Sequence, residues 1–228
     1  MTSDKKLFSE LSTIIQGEGI PIGTPSLMLR TSECNLRCKV CDSKFSWNEP
    51  PIYSIQEAVD FIRAHPLYSH IIISGGEPML HQKEILELMC YFTHDEFLSK
   101  TFTIETNCTI KPTSSLKRIM SYYKGLWSVS PKTVDSSYSH CMDTIKYFKS
   151  LPNVQFKFVI DTPISDEIDK VLSLKIKKQP IVLQPNGMVP DYNNACRLLA
   201  EYVISNSLTN LRVLPQFHKI CWGNKRGV

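Results

Sequence analysis

The sequence predicts an α/β protein in which about six parallel strands form a partial, open (β/α) barrel. Segments with strand character alternate with segments of helix character, which favours parallel strands joined by crossover helices. Several strand segments are continuous apolar runs, such as His70-Ile-Ile-Ile-Ser74, and runs of this kind are typical of strands buried on both faces. The chain holds six or seven strands, fewer than the eight of a closed barrel.

The predicted elements follow one another in a regular order. Strands are predicted at 26–30, 70–74, 102–106, 126–130, 154–160, 181–184 and 211–214. Helices are predicted between them at about 54–65, 82–92, 113–122, 137–149, 165–173 and 192–204. The first helix has a well-marked start, because Ser54 and Glu57 have the spacing of a capping box. No repeat or long linker divides the chain, so we expect a single domain over residues 1–228.

Composition and charge limit the function. Hydrophobic residues make up 42% of the 228 residues and charged residues 21%, as in soluble globular proteins. The net charge of +4 is too small to argue for a nucleic-acid partner. The first residues lack the apolar segment of a signal peptide, and no apolar run reaches the roughly 18 residues of a membrane helix. We therefore expect a cytoplasmic protein with no nucleic-acid or membrane partner.

Three cysteines, Cys34, Cys38 and Cys41, have the spacing C-x3-C-x2-C directly after the first predicted strand. Three thiolates in one loop can bind three irons of a 4Fe–4S cluster and leave the fourth iron open, whereas electron-transfer clusters take four cysteines. A structural zinc site and three unrelated thiols are the alternatives. Zinc sites usually use two pairs of ligands, and only one C-x2-C pair is present. We call residues 31–45 the cysteine loop.

The other five cysteines do not predict a second metal site. They are widely and irregularly spaced, at Cys90, Cys108, Cys141, Cys196 and Cys221. We expect them to be buried thiols that pack as small hydrophobic side chains. Reduced thiols also fit the cytoplasm, where disulfides are rare.

Polar segments follow three further strands. Gly75-Gly76-Glu77-Pro78 allows a backbone to approach a ligand closely, although it is also common in plain strand-to-helix turns. Ser130-Pro131-Lys132 offers a hydroxyl and an ammonium that fit a carboxylate, and its alternative is a solvated turn. Gln184-Pro185-Asn186-Gly187 fits an adenine or ribose edge, or is a polar turn. Because sites in parallel α/β folds lie at the carboxyl ends of strands, we expect these segments to meet at one rim.

Two features upstream of the cysteines predict a second ligand. Gln16-Gly17-Glu18-Gly19 places a carboxamide and a carboxylate between glycines, which suits paired hydrogen bonds to a pterin or purine edge. A phosphate is a poorer fit because Glu18 would repel it and no lysine follows. Arg30, at the end of the first strand, fits a bidentate pair with a carboxylate unless it is simply a surface arginine.

Taken together, these segments resemble the 7-carboxy-7-deazaguanine synthase family, which serves queuosine and 7-deazapurine biosynthesis. That family belongs to the radical S-adenosylmethionine (SAM) superfamily. The resemblance extends from about residue 8 to residue 228. It rests on Ile15–Gly19, Pro25–Arg30, Cys34–Ser43, Ser74–Pro78, Glu105-Thr106, Ser130–Lys132 and Pro215–Lys219. The fold that it implies is the partial barrel of radical SAM enzymes.

The resemblance implies roles for individual residues. It implies that Cys34, Cys38 and Cys41 ligate a 4Fe–4S cluster and that the Ser43 hydroxyl binds Mg²⁺. The residues it places around SAM are Val40, Cys41, Asp42, Gly76, Glu77, Ser130, Pro131, Lys132, Gln184, Pro185 and Asn186. The residues it places around the substrate are Ile15, Gln16, Gly17, Glu18, Arg30 and Ser74. His218 is either a substrate-side group or a structural histidine, and we favour the latter.

The chain departs from the family pattern at three positions. Ser43 stands where threonine is usual, which retains the hydroxyl. Val40 stands where many superfamily members have an aromatic residue, so a stacking contact to adenine is weakened. Cys108 stands where glycine is expected, which leaves the conformation of its loop open.

The implied reaction is that of a carbon–nitrogen lyase. The resemblance implies reductive cleavage of SAM to a 5′-deoxyadenosyl radical, hydrogen abstraction from C6 of 6-carboxy-5,6,7,8-tetrahydropterin, ring contraction and loss of ammonia. The product is 7-carboxy-7-deazaguanine. No residue is assigned as a catalytic acid or base, because the cofactors supply the radical chemistry. The implied partners are a flavodoxin-like reductant and a second copy of the chain in a homodimer.

Two other functions remain open at this point. An activase that makes a glycyl radical on a partner protein would share the cysteine and glycine motifs, but it would not need Gln16–Gly19 or Arg30 for a pterin. An iron–sulfur electron carrier or zinc-binding module would have a fully ligated metal and would not bind SAM. Substitution of Gln16 or Arg30 separates the synthase from the activase, and SAM binding excludes the carrier.

Overall fold

The computed structural model describes residues 5–132 and 141–227. Its strands are β1 Lys6–Ile15, β2 Pro25–Thr31, β3 Tyr53–Ser54, β4 His70–Gly75, β5 Thr101–Thr106, β6 Leu126–Val129, β7 Val154–Ile160, β8 Ile181–Pro185 and β9 Leu211–Val213. Its α-helices are α1 Ile55–Ala64, α2 Gln82–Cys90, α3 His94–Leu98, α4 Ser114–Tyr122, α5 Met142–Phe148, α6 Ile164–Ser173, α7 Tyr192–Ser205 and α8 Phe217–Trp222. Short 3-10 helices lie at Lys44–Trp47 and Pro78–His81.

The strands of the described chain form one sheet in the order β3-β1-β2-β4-β5-β6-β7-β8-β9. The strands from β2 through β4 to β9 are parallel to one another, as predicted. Hydrogen bonds do not join β3 to β9 within the described residues, so the sheet is open. The prediction of an open parallel α/β sheet is therefore confirmed, and its seven parallel strands match the seven predicted segments.

Two strands and two α-helices of the described chain were not predicted. β1 pairs antiparallel with β2, and β3 pairs antiparallel with β1, so two antiparallel strands extend the parallel sheet at one edge. The helices α3 and α8 were also missed. The helix predicted at 137–149 is present as α5, and the first part of that prediction, residues 137–140, lies outside the described residues.

The core explains why the strands have continuous apolar runs. Ile71, Ile72 and Ile73 of β4 are all buried, because helices cover the sheet and β4 lies between two other strands. Trp127 of β6 is also buried and lies 5.7 Å from the ring of Phe148 on α5. The part of the chain that the structure describes contains no helix with the length and apolar character of a membrane span.

The five cysteines outside the cysteine loop are not all buried, which corrects the prediction. Cys108 and Cys141 are buried, Cys196 is half-buried, and Cys90 and Cys221 are exposed. Cys90 ends α2 and Cys221 lies in α8, where the helix surface faces solvent. The apolar character of cysteine was therefore not enough to predict which of these side chains are buried.

The capping box at α1 is present as predicted. The Ser54 hydroxyl accepts a hydrogen bond from the Glu57 backbone N–H at 3.2 Å, and the Ser54 backbone N–H donates to the Glu57 carboxylate at 2.7 Å. We expect Ser54→Ala to destabilise the fold by about 1 kcal/mol, because one helix N–H loses its partner. Thermal unfolding of the variant measures this loss. Ser173→Ala in α6, which is exposed and not an N-cap, is the control and should change stability by less than about 0.5 kcal/mol.

Candidate active site

A cavity of about 270 Å³ lies at the carboxyl ends of the parallel strands. Most of the residues predicted as site residues line it. They are Ile15, Gln16, Gly17, Glu18, Arg30, Cys34, Cys38, Val40, Cys41, Asp42, Ser43, Ser74, Gly76, Ser130 and Lys132. The expectation that segments distant in sequence meet at one rim is met for these residues. Glu77, Pro131, Gln184, Pro185 and Asn186 do not line the cavity.

The three thiols sit in one compact loop between β2 and the 3-10 helix at Lys44–Trp47. The Cys41 N–H donates to the Cys38 carbonyl at 3.3 Å, and the Leu36 N–H donates to the Cys34 sulfur at 3.4 Å. Burial raises the pKa of the Cys34 and Cys41 thiols above the ordinary value. The free thiols are therefore protonated at neutral pH, and metal binding would have to displace those protons.

The two glycines after β4 allow the cysteine loop to lie directly against the sheet. The Gly76 N–H donates to the Thr31 carbonyl at 3.1 Å, and the Glu77 N–H donates to the Glu33 carbonyl at 2.8 Å. A Cβ atom on Gly76 would overlap the Glu33 carbonyl oxygen, and Gly75 has a φ of +131°. The sequence suggested that these glycines admit a ligand, and the structure shows that they also admit the backbone that precedes Cys34.

Glu77 lies behind the cavity wall. Its carboxylate accepts hydrogen bonds from the Met79 N–H at 2.9 Å, the Thr106 hydroxyl at 2.7 Å and the Asn107 N–H at 2.6 Å. These bonds tie the end of β4 to the end of β5 and occupy both carboxylate oxygens. Glu77 therefore supports the site from behind, and direct contact with SAM through its side chain does not fit this placement.

The loop after β5 supports the first cysteine. The Asn107 amide donates to the Asn35 side-chain oxygen at 2.9 Å and lies 3.9 Å from the Cys34 sulfur. Cys108 follows with a φ of +70°, which lies in the left-handed region that glycine adopts most easily. Cys108 therefore takes up a conformation that suits the glycine expected there, and the departure does not redirect the loop.

A group of charged and polar residues lines another part of the cavity. The Lys157 ammonium contacts the Glu18 carboxylate directly and lies 3.8 Å from the Glu105 carboxylate. Glu105 also accepts hydrogen bonds from the Gln16 amide at 3.3 Å and the Ser74 hydroxyl at 2.9 Å. Three residues predicted to bind the substrate, Gln16, Glu18 and Ser74, thus converge on Lys157 and Glu105, which were not predicted as site residues. We call these five residues the polar wall.

Electrostatics keep the polar wall charged. Burial by itself would raise the pKa of Glu18, but the charges of Lys157 and His218 outweigh burial and lower it below the ordinary value. For Lys157 the effect of burial has the opposite sign. Burial would lower its pKa, but Glu105 and Glu18 raise the pKa above the ordinary value. Only 7% of the Lys157 side chain is exposed. Glu18 and Lys157 therefore form a buried ion pair rather than two solvated side chains.

Residues at the start of α8 complete this side of the cavity. The Gln216 amide donates to Glu18 at 2.5 Å and to Asp42 at 3.3 Å. His218 lies 4.0 Å from the Asp42 carboxylate and lines the cavity beside Gly17, where a Cβ atom would collide with its ring. Glu18, Asp42 and His218 each present a ligand atom within 4.8 Å of the others. His218 is therefore placed at the cavity.

Arg30 is not a surface arginine. Only 11% of its side chain is exposed, and its Nε donates to the Glu10 carboxylate at 2.8 Å. Its guanidinium lies 5.2 Å from the centre of the Phe45 ring. Within the described residues, no carboxylate pairs with its Nη1 or Nη2 atoms. These two atoms form the outer edge of the guanidinium, and a ligand carboxylate would form a bidentate pair there.

The last predicted segments lie at the cavity or directly before residues that line it. Lys132 donates to the Ser130 hydroxyl at 3.0 Å, and both line the cavity. Gln184 is fully buried, and its amide makes no hydrogen bond with the described residues. Asn186 donates to Asp161 at 3.2 Å, and the following Gly187 and Met188 line the cavity in its place. The predicted segment is thus near the site, but its cavity residues lie one or two positions later.

Comparisons with known proteins agree with this geometry. Residues 28–153, more than half of the chain, match the radical SAM superfamily. A 7-carboxy-7-deazaguanine synthase of Aquifex aeolicus is 31% identical over 218 residues, which cover 92% of this chain and 91% of the relative. The chain belongs to the 7-carboxy-7-deazaguanine synthase family of the radical SAM superfamily. The synthase of Pyrobaculum aerophilum is 29% identical over 226 residues, covering 96% and 95% of the two chains.

Solved structures show the same fold. The crystal structure of QueE from Escherichia coli has a TM-score of 0.65 and 23% identity, covering 93% of this chain and 94% of that one. Streptococcus suis SuiB, in a crystal structure with bound S-adenosylmethionine, has a TM-score of 0.61 and 19% identity. SuiB matches over 80% of this chain and 48% of its own. A radical SAM fold is therefore present across the whole sheet.

Membership of the radical SAM superfamily implies a 4Fe–4S cluster and SAM as cofactors. The residues present fit both groups. Three thiols from one loop line the cavity, and the Gly76 backbone lies beside them without a side chain. Lys132 and Ser130 supply the ammonium and hydroxyl that suit a carboxylate.

Several functional side chains escaped prediction. Glu10, Lys157 and Arg226 were not identified, and Glu105 and Gln216 were noticed only as parts of motifs. One signal was available, because Lys157 is the one charged residue in a strand that is apolar apart from Gln155, Val154-Gln-Phe-Lys-Phe-Val-Ile160. A lysine in such a strand is rarely buried without a partner. The other residues have no local signal of this kind.

Proposed function

We propose that this chain converts 6-carboxy-5,6,7,8-tetrahydropterin to 7-carboxy-7-deazaguanine with loss of ammonia, in 7-deazapurine biosynthesis. The observation that carries the proposal is the arrangement of one cavity. The three thiols of the cysteine loop, the five residues of the polar wall and Arg30 all line it. The relatives named 7-carboxy-7-deazaguanine synthase support the same reaction.

Each residue type in the polar wall has a role in substrate binding. The outer edge of Arg30 would hold the substrate carboxylate through two parallel hydrogen bonds. The carboxylates of Glu18 and Glu105 would accept hydrogen bonds from the N–H groups of the pterin edge, and Gln16 would supply both a donor and an acceptor. Lys157, which contacts Glu18, would keep the Glu18 carboxylate ionised, so that it acts as an acceptor rather than a donor.

The chemistry of the reaction belongs to the cofactors. When bound, the cluster and SAM supply the organic radical that removes a hydrogen atom from the substrate. Cys34, Cys38 and Cys41 would hold the cluster. The residues proposed to surround SAM are Val40, Asp42, Gly76, Ser130 and Lys132, with the segment from Gln184 to Met188 near the adenosine. The protein then contributes orientation of the substrate and exclusion of water.

We further propose that Ser43 helps to bind Mg²⁺ together with substrate oxygens. The Ser43 hydroxyl lies 3.0 Å from the Asp42 carboxylate and lines the cavity, and hydroxyl and carboxylate oxygens are suitable Mg²⁺ ligands. The Glu18, Asp42 and His218 group adds further ligand atoms nearby. Dependence of turnover on added Mg²⁺, compared between wild type and Ser43→Ala, tests this role.

The remaining proposals concern the protein as a whole. We propose one domain over residues 1–228, a homodimer, a flavodoxin-like electron donor and a cytoplasmic location. Eight free cysteines support a reducing compartment. Sedimentation of the reconstituted enzyme tests the dimer, and reduction of the cluster by a purified flavodoxin tests the donor.

An anaerobic turnover assay tests the proposed function. The reconstituted, reduced enzyme is given SAM and Mg²⁺, and 5′-deoxyadenosine is measured with and without the carboxytetrahydropterin. We expect cleavage that depends on the pterin and a deazaguanine product by mass. Cleavage without pterin dependence would reject the substrate, and no cleavage by a fully loaded cluster would favour the activase or the carrier.

A substitution at Arg30 tests the role of its outer edge. We expect Arg30→Lys to raise the KM for the carboxytetrahydropterin by at least about tenfold, because lysine cannot form the bidentate pair. Steady-state kinetics at saturating SAM measure the change. Arg197→Lys in α7, an exposed arginine that also pairs with a carboxylate, is the matched control and should leave KM unchanged. An unchanged KM in Arg30→Lys would remove the carboxylate contact from the proposal.

A further inference from the structure

Two arginines from distant parts of the chain contact the same aromatic ring. Phe45 lies in the 3-10 helix that follows the cysteine loop, and the Arg30 guanidinium is 5.2 Å from its ring centre. The Arg226 guanidinium is 4.0 Å from the same centre. Guanidinium groups are attracted to aromatic faces at such distances. Phe45 therefore fixes the relative position of the two cations.

The same two arginines share one carboxylate. Glu10 on β1 accepts from Arg30 Nε at 2.8 Å and from Arg226 Nε at 3.3 Å. Its other oxygen accepts from the Ser12 hydroxyl at 3.0 Å. With Arg226 present, the charge of Glu10 is divided between two cations. Without Arg226, Glu10 would pair with Arg30 alone and would compete with any ligand carboxylate for that guanidinium.

Arg226 is itself held by a second carboxylate. Its Nη1 and Nη2 atoms donate to the two oxygens of Glu49 at 2.9 Å and 2.6 Å. Glu49 is fixed in turn, because its N–H donates to the Phe45 carbonyl at 3.1 Å. A bidentate pair of this kind sets both distance and orientation. Around Phe45, the positive charges of Arg30 and Arg226 are thus balanced by the negative charges of Glu10 and Glu49 in the absence of substrate.

Arg226 also holds a chain segment at the cavity. Residues 223–227 line the cavity, and the Cβ position of Gly227 is 3.5 Å from a Glu10 oxygen. The side chain of Arg226 connects this segment to β1 and to the 3-10 helix. Loss of that side chain would release the segment from the rim above Arg30.

We propose that Arg226 is a positioning residue that sets the selectivity for a carboxylated substrate. It holds the 223–227 segment across the cavity rim and shares Glu10 with Arg30, so that the outer edge of Arg30 stays available to the substrate carboxylate. The inference rests on the proposed function, in which Arg30 binds that carboxylate. Arg226 acts through Glu10, Phe45 and Arg30, and it need not touch the substrate.

Binding to the cluster-loaded, unreduced enzyme tests the inference without turnover. Isothermal titration calorimetry gives the Kd of 6-carboxytetrahydropterin and of tetrahydropterin without the carboxylate. In Arg226→Gln we expect the Kd of the carboxylated ligand to rise about tenfold and that of the other ligand to change less than about twofold. Arg226→Lys keeps the charge and should recover part of the loss. Arg197→Gln, which removes an exposed paired arginine elsewhere, should change neither value.

Two further measurements separate positioning from a general structural role. Amide hydrogen exchange in residues 223–227 should be faster in Arg226→Gln, and turnover should show a raised KM with kcat changed less than about threefold. If Arg226→Gln does not fold, Glu49→Gln removes the bidentate support and should produce the same selective loss in a milder form.

The outcomes distinguish this inference from the proposed function. A wild-type enzyme that binds both pterins equally would reject the carboxylate contact, and with it the proposed role of Arg30. A wild-type enzyme that prefers the carboxylated ligand, with the same preference in Arg226→Gln, would overturn the inference alone. A fall in kcat at unchanged KM would also overturn it.

Discussion

Gly76→Ala is expected to prevent correct formation of the cluster site and to lower turnover by roughly a hundredfold. The new Cβ atom would overlap the carbonyl oxygen of Glu33, which belongs to the backbone and cannot rotate away as a side chain can. The same carbonyl accepts the Glu77 N–H, and the next residue is Cys34. Any movement that relieves the overlap therefore displaces the first cluster ligand.

The measurement is the iron and sulfide content of each variant after anaerobic reconstitution, followed by SAM cleavage. Gly23→Ala is the control, because Gly23 has a φ of +87° and no described atom lies within 4 Å of its Cβ position. That variant should lose about 1 kcal/mol of stability from backbone strain and should load iron normally. Full loading and normal turnover in Gly76→Ala would mean that the cysteine loop relaxes without cost.

The parallel strands were predictable because their signal is local. Most have apolar residues in a continuous run or in alternation, and burial on both faces makes the run continuous in β4. β1 was missed because Lys6–Ile15 mixes apolar with polar residues, and its burial varies from buried to exposed along its length. A strand of that kind is defined by its pairing with β2, which brings Ile15 opposite Pro25.

The site residues likewise fall into two groups, those with a local sequence signal and those without one. The cysteines and the glycines of Gly75-Gly76 were found because their chemistry lies in short, regularly spaced motifs. Only three of the five residues of the polar wall were predicted as site residues, because the contacts within it join residues far apart in sequence. Lys157 and Glu18 are separated by 139 positions, and Gln216 and Glu18 by 198. No spacing rule connects such residues before the fold is known.

Cys108 shows that a conformation can persist when the expected residue does not. A glycine would adopt a φ of +70° without strain, and a cysteine in that region costs on the order of 1–2 kcal/mol. The buried Cys108 side chain contacts Cys141 in the core, so packing of the thiol offsets part of that cost. The sequence identified the departure, but only the packing around it explains why it is tolerated.

Lys157→Met is expected to destabilise the reconstituted enzyme by about 3–5 kcal/mol at neutral pH, because it leaves buried carboxylates without a counter-charge. The exposed fractions of the Glu18 and Glu105 side chains are only 16% and 21%. For a domain of this size the loss corresponds to a fall in unfolding temperature of about 10 °C. Substrate affinity should fall as well, because the polar wall loses its charge balance.

A control variant and a double variant test whether the loss of stability in Lys157→Met is electrostatic. Lys146→Met removes an exposed lysine that pairs with the exposed Asp143, and it should change stability by less than about 1 kcal/mol. Lys157→Met combined with Glu18→Gln removes one of the two unpaired charges and should recover part of the lost stability. A double variant no more stable than Lys157→Met would show that packing of the lysine stem, rather than charge, dominates.

The pH dependence gives the sharpest test. In the wild type, Lys157 and His218 hold the pKa of Glu18 below its ordinary value of 4.5, so the stability from this carboxylate is present above that pH and is lost as the pH falls below it. In Lys157→Met, burial prevails and should raise the pKa of Glu18 above the unfolded value. The folded variant then takes up a proton first, and its stability should rise as the pH falls from about 7 to about 5. The gap between wild type and variant in unfolding temperature should therefore narrow over that interval, and a constant gap would contradict an electrostatic role for Lys157.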